Sequence, residues 1–186
     1  MGKRILLIQG HPDPCPNHLC HTLADAYASG AIAVGHELRT ITVAQLEFPL
    51  LRNEQEWAHG PLPECLRKAQ DDIFWAQHLV VFFPLWMGDM PALFKGFLEQ
   101  VARPGFAFAS DKLLTKKPLA GRSARVVVTM GMPVLRYRLY FLNRNVLSFV
   151  GIRPVRHTLI GMAAHAAPDV VVEWTGKLQD MGREGS

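Results

Sequence analysis

Apolar residues in this chain fall into five short runs separated by stretches of helical periodicity. Residues 4–9 form a compact run closed by Gly10-His11-Pro12, which predicts a buried first strand. Behind it Leu19, Leu23, Ala26, Tyr27, Gly30 and Val34 recur at helical spacing, with Asn17 placed to cap the start and Gly35 to close the end. Residues 37–43 alternate like a second strand. Residues 48–63, rich in Pro, Glu, Trp and Gly, predict a loop, and a helix from about residue 62 to 75 leads into a third strand over 78–83. A Trp-Met-Gly-Asp turn follows Pro84, and a helix restarts at Pro91 with Leu93, Phe94, Phe97, Leu98 and Val101 on one face. Residues 103–121 predict an irregular excursion. A fourth strand (124–129), a loop and helix (130–150), a fifth strand (155–160) and a last helix (169–181) complete the pattern.

Strands that alternate with helices imply an α/β chain: a doubly wound, five-stranded parallel sheet in a three-layer αβα arrangement. The length of 186 residues fits a single domain over 1–186, with no internal repeat. Hydrophobic content of 49% and charged content of 19% allow a core without disulfides or metals. Cys15, Cys20 and Cys65 are odd in number and lack framework spacing, so free thiols in a reducing compartment are expected. The apolar run near the N-terminus is too short for a signal peptide, and no stretch is long enough to span a bilayer. A cytoplasmic location is expected, with no membrane-embedded part. The net charge of +4 comes from scattered basic residues, loosely grouped at 112–117 and 136–144. Each group reads as a solvated surface or as an attractor for nucleotide phosphates; nothing reads as a nucleic-acid module.

Several chemistries are excluded by spacing. No Gly-x-Gly-x-x-Gly follows the first strand, and Gly30 and Gly35 lack the Lys-Ser/Thr of a P-loop. No Gly-x-Ser-x-Gly elbow is present. The third strand ends without an aspartate, which excludes a phospho-acceptor site. His11, Cys15, His18, Cys20 and His21 have the residue types of a zinc site. On a helix, however, His18 and His21 share a face while Cys20 points elsewhere, so no metal is expected.

The first loop can instead be read as a phosphate site, because a helix N-terminus offers unpaired N–H groups and partial positive charge. His11, Asn17 and His18 are its candidate donors; the alternative is a rigid proline-set loop with Asn17 only capping. Trp86, just beyond a strand end, is placed to line a crevice. Tyr137 and Tyr140 either offer a hydroxyl to a substrate oxygen, as candidate catalytic residues, or pack a helix.

The loop at Gly10-His11-Pro12, the segment FPLWMGDMPALFKGFLEQV and the following Arg103-Pro-Gly-Phe-Ala-Phe108 resemble the NAD(P)H:quinone oxidoreductases of the flavodoxin-like superfamily. That resemblance implies a flavin, FAD or FMN, at the carboxyl ends of the strands. Pro84, Leu85, Trp86, Met87 and Gly88 would line its ring, Thr129, Met130, Gly131 and Met132 would form a further loop beneath it, and His11 to Asn17 with His18 would meet its phosphates. NAD(P)H would be the co-substrate and a quinone or similar acceptor the second substrate, in a homodimer. A regulatory, transporter-associated subunit binding flavin or nucleotide is the alternative. Two departures stand out: Pro12, Pro14 and Pro16 remove N–H donors from the loop, and no histidine lies between His78 and His157.

Overall fold

A computed structural model describes residues 2–107, 117–134 and 147–186 of the chain. Its five strands are β1 (Arg4–Gln9), β2 (Glu37–Thr42), β3 (His78–Pro84), β4 (Ser123–Thr129) and β5 (Val155–Ile160). They form one parallel sheet in the order β2-β1-β3-β4-β5. The helices among the described residues are α1 (Leu19–Ala33), α2 (Glu54–His59), α3 (Glu64–Trp75), α4 (Ala92–Val101) and α5 (Pro168–Glu184). The sheet is covered on both faces, which is why β1, β3 and β4 read as nearly unbroken apolar runs, whereas the edge strands β2 and β5 keep exposed positions. Among the described residues, no helix is long and apolar enough to cross a membrane.

Successive side chains of a strand point to opposite faces, and the core divides accordingly. Leu6, Ile8, Val81 and Phe83 pack with Phe94 and Phe97 of α4 and with Leu66 and Ile73 of α3. Ile5, Leu7, Val80 and Phe82 pack with Leu23 and Tyr27 of α1 and with Leu178 of α5. On this second face α1 and α5 lie backbone to backbone. A Cβ at Gly30 would run into the Gln179 carbonyl, and one at Gly182 into the carbonyl of Tyr27. These two glycines let α5 hold α1 against the sheet, and so fix where the start of α1 sits.

Two local readings of the sequence are corrected. Asn17 does not cap α1: the N-cap is His18, without a side-chain cap bond, and Asn17 is exposed one residue earlier. Three prolines in six residues hold the chain extended through the loop and delay the first helical turn. The stretch expected to be a loop over 48–63 contains α2. There Asn53 accepts the Glu56 N–H at 2.8 Å, while the Glu56 carboxylate accepts the N–H of Arg52 at 2.8 Å. This reciprocal capping holds a helix of only six residues.

One buried titratable group sits at the start of β3. The His78 imidazole is 2% exposed, with its Nδ1 2.7 Å from the Ser123 hydroxyl. Burial, then the cations Lys3, Arg125 and Arg156 and the nearby His36, push its pKa down to about 3. As pH falls below its ordinary value, the unfolded chain takes up a proton that the folded chain refuses, so stability falls with pH down to the folded value. The slope from this residue is about 1.4 kcal/mol per pH unit, or about 2 kcal/mol between pH 7 and pH 5. Urea denaturation of wild type and His78→Leu at both pH values should show the variant's pH dependence reduced by that amount. Equal pH dependence in the two proteins would place the acid sensitivity elsewhere.

Candidate functional site

Parallel pairing brings the carboxyl ends of the strands to one edge of the sheet. Gln9 pairs with Phe82, Pro84 with Thr129, and Thr129 with Ile160. A crevice of about 200 Å³ opens there, between the start of α1 (His11 to Cys20), the turn after β3 (Pro84, Leu85, Trp86), the end of β4 (Thr129, Met130, Gly131) and Ala163-Ala164 after β5. The loops are tied to one another by backbone bonds: Gly10 N–H to the Phe82 carbonyl at 2.7 Å, Leu85 N–H to Thr129 at 2.8 Å, and Met130 N–H to Ile160 at 2.9 Å.

The turn after β3 is a two-residue hairpin. Met87 and Gly88 both adopt positive φ, 49° and 85°, while Trp86 and Asp89 exchange backbone hydrogen bonds of 2.9 and 3.0 Å. This geometry needs a glycine at its second central position and throws the Met87 side chain fully into solvent. The Trp86 ring is half exposed and meets His11 edge-on at 6.2 Å. The expected ring-lining set thus divides. Pro84, Leu85, Trp86, Thr129, Met130 and Gly131 line the crevice with His11 and His18, whereas Met87, Gly88, Met132 and Asn17 are not among its lining residues. Tyr137 and Tyr140 lie outside the described residues, as do the basic residues of 112–116 and 136–144.

Leu19, Cys20, Ala163 and Ala164 also line the crevice and were missed in the sequence. The alanines carry no chemical signal; only the rule that parallel strands end together could have found them. Cys20 is buried, and burial pushes its thiol up to about 12, so it is an inert wall rather than a nucleophile.

The first loop is internally satisfied. The His11 N–H goes to the Gln9 side chain at 3.1 Å, the Asp13 N–H to His11 Nδ1 at 3.1 Å, and the Cys15 N–H to the Asp13 carboxylate at 2.9 Å. The same carboxylate reaches His18 Nε2 at 2.8 Å. It is held below the usual carboxylate range first by the Cys15 N–H and then by His18. His11 stacks on His18 at 4.2 Å and lies 5.2 Å from His21. Burial and then His18 lower its pKa, so the ring is neutral near pH 7. Among the described residues, no three His, Cys, Asp or Glu side chains are grouped to hold a metal ion.

These residues fit a flavin. The wall of Pro84, Leu85, Trp86 and Met130 carries apolar side chains, and a Cβ at Gly131 would meet nothing, so backbone faces open space there. At the other end, the start of α1 presents N–H groups at positions 18–20 that have no partner among the described residues, next to the His18 ring. That helix start, rather than the proline loop whose donors are already used, is where an anion would bind.

Comparison with known proteins places this geometry. Residues 3–179 match a family described by its flavodoxin-like fold. The chain belongs to that family. It is 35% identical over 174 residues, 92% of its length and 81% of the relative's, to the glutathione-regulated potassium-efflux system ancillary protein KefG of Salmonella paratyphi B. It is 26% identical to an uncharacterized NAD(P)H oxidoreductase of Haemophilus influenzae over 61% of each chain, less than two thirds of that protein's length. Two solved structures share the fold. An NAD(P)H:quinone oxidoreductase from Methanothermobacter marburgensis aligns with a TM-score of 0.76 at 20% identity, covering 99% of this chain and 97% of its own. An FMN-dependent NADH-azoreductase from Bacillus anthracis, in complex with FMN, aligns at 0.73 and 15% identity, covering 99% of both.

Gly10 joins the two halves of the crevice, since a Cβ there would lie 2.7 Å from Phe94 Cγ, in the core beneath. Gly10→Ala should force the Phe94 ring aside, destabilise the protein by about 1–3 kcal/mol and change the fluorescence of the adjacent Trp86. Urea unfolding followed at the tryptophan band measures both effects; an unchanged midpoint would show that the ring yields freely.

Proposed function

We propose that this chain is a flavin-dependent NAD(P)H oxidoreductase that passes reducing equivalents to a quinone or similar acceptor, acting as a homodimer with FAD or FMN. The observation that carries the proposal is the crevice at the strand ends, with apolar side chains along one wall and unpaired helix N–H groups at the other end. The named oxidoreductases among the relatives and fold neighbours, one of them holding FMN, support it. Bound flavin supplies the two-electron chemistry, which no side chain of the crevice can provide. The residues would bind and orient. N–H groups at 18–20 and the His18 ring would hold the phosphate end, Trp86 and Leu85 would exclude water from one side of the ring site, and Tyr137 or Tyr140 would donate a proton to the acceptor oxygen.

A second reading follows from the 35% identity to KefG, an ancillary protein of a potassium-efflux system: the same crevice binds flavin or nucleotide in a regulatory subunit without significant turnover.

The visible spectrum of the protein after incubation with FAD or FMN and removal of excess separates the readings. Retained flavin that is bleached by NADH or NADPH and restored by a quinone supports the enzyme. Retained flavin without turnover, or bound nucleotide without flavin, supports the regulator, and a protein that holds neither overturns both. Asp13 is a negative charge beside the anion end of the crevice, bound to His18. Removing it in Asp13→Asn should tighten flavin retention about five-fold, with the larger gain at low salt, measured by equilibrium dialysis. Weaker retention in the variant would mean that the carboxylate serves to shape the loop.

A further inference from the structure

At the amino ends of the strands, on the opposite edge of the sheet from the crevice, lies a second cavity of about 200 Å³. Lys3, His78, Ser123, Pro154, Arg156 and Ser186 line it. It is a positively charged space. Lys3 and Arg156 border it, and Arg125 lies close enough, with His36, to act on the same imidazole. None of Lys3, Arg125 and Arg156 has a side-chain carboxylate as ion-pair partner among the described residues. Arg125 spends its donors on the Ser186 main-chain oxygen at 2.5 Å and the Thr158 hydroxyl at 2.8 Å. The Lys3 ammonium gives hydrogen bonds to the Gly185 carbonyl at 2.8 Å and the Glu184 carbonyl at 3.4 Å. The carboxylate that acts on this group is Glu184, which feels Arg125 and accepts from the Ser186 hydroxyl at 3.0 Å. The Arg156 side chain is exposed and makes no hydrogen bond among the described residues.

The second observation is an orphaned polar atom. His78 is buried, and its Nε2 has no hydrogen-bond partner among the described residues. Its Nδ1 pairs with the Ser123 hydroxyl at 2.7 Å, so Nε2 is the ring nitrogen left without a partner. Buried polar atoms in native structures nearly always have a partner, and one left alone points to an ion or water that satisfies it. An ammonium and a guanidinium bordering one small space, beside a buried ring nitrogen left without a partner, match an anion with several acceptor oxygens.

We propose that this basal cavity binds a small oxyanion of the phosphate class, held by Lys3 and Arg156 against the buried His78 ring. Such an anion bridges the starts of β1, β3 and β5 with the C-terminal segment. Binding only the folded chain, it stabilises the fold as its concentration rises. The site is independent of the crevice, and it stands whether or not flavin binds there.

The test is a titration of the protein with inorganic phosphate at constant ionic strength, following each histidine ring by NMR and the melting temperature in parallel. The His78 resonance should move saturably and the melting temperature should rise. Resonances of His11 and His18 report separately on any phosphate taken up at the crevice. In Arg156→Ala the apparent Kd read at His78 should rise at least ten-fold. Arg153→Ala removes an exposed cation nearby that does not line the cavity, and should leave binding unchanged. Both positions are exposed, so the variants should fold. A His78 resonance that does not respond in the folded wild type overturns the proposal. So does equal weakening by the two arginine variants, which would reduce the effect to general charge.

Discussion

The register of β3 between β1 and β4 is the constraint on which the rest of this structure depends. Every residue of β3 up to Phe83 is buried, and its ladder levels the strand ends so that Gly10, Leu85 and Met130 emerge beside one another. A slip of one residue would turn Val81 and Phe83 to the wrong face and carry the Trp86 turn away from the α1 start. Two glycine contacts reinforce this register from outside the sheet. Gly30 and Gly182 bring α5 onto α1, and Gly10 admits the Phe94 ring beneath the crevice floor. The ligand crevice is thus a consequence of core packing rather than a feature added to it.

Much of this was legible in the sequence, and the reason is burial. β1 and β5 begin and end at the predicted residues, and the other strands differ by one residue each, because double-sided burial in a parallel sheet leaves an unambiguous apolar signature. The Trp86-Met87-Gly88-Asp89 turn was readable because only a glycine accepts its second left-handed position. What escaped was decided locally or by contacts without chemical character. α2 depends on one side-chain cap within a stretch that otherwise looks like a loop. Asn17 has the chemistry of a cap but is one residue too early, since the proline-set loop places His18 at the helix boundary. Ala163 and Ala164 reach the crevice only because β5 ends where its neighbours do.

The two edges of the sheet differ in how they meet charge. At the carboxyl edge, positive potential comes from helix N–H groups, with the His11 ring pushed towards its neutral form by burial, which suits a ligand that enters and leaves a slot with both apolar and polar walls. At the amino edge it comes from full cations concentrated around one buried imidazole, with little carboxylate to offset them. That second arrangement carries a cost in the folded state and becomes favourable once an anion joins it. Its proximity to the C-terminal segment makes the packing of α5, and through Gly182 that of α1, sensitive to what happens there.

The proline-rich loop gives a physical account of how this chain differs from a loop built mainly to bind phosphate. A loop whose N–H groups point at a ligand leaves them unsatisfied when the ligand is absent. Here Pro12, Pro14 and Pro16 remove three such groups, while Gln9, His11 and Asp13 satisfy those that remain at 11, 13 and 15. Asp13 does within the chain what a phosphate oxygen would do, accepting from the Cys15 N–H and from His18. The loop is therefore stable without ligand, and a bound anion gains only the helix-start donors beyond it. This trade lowers affinity and leaves the fold intact when the cofactor is lost. It suits a protein that exchanges its cofactor or senses the cofactor's presence, which is the point at which the enzyme and regulator readings meet.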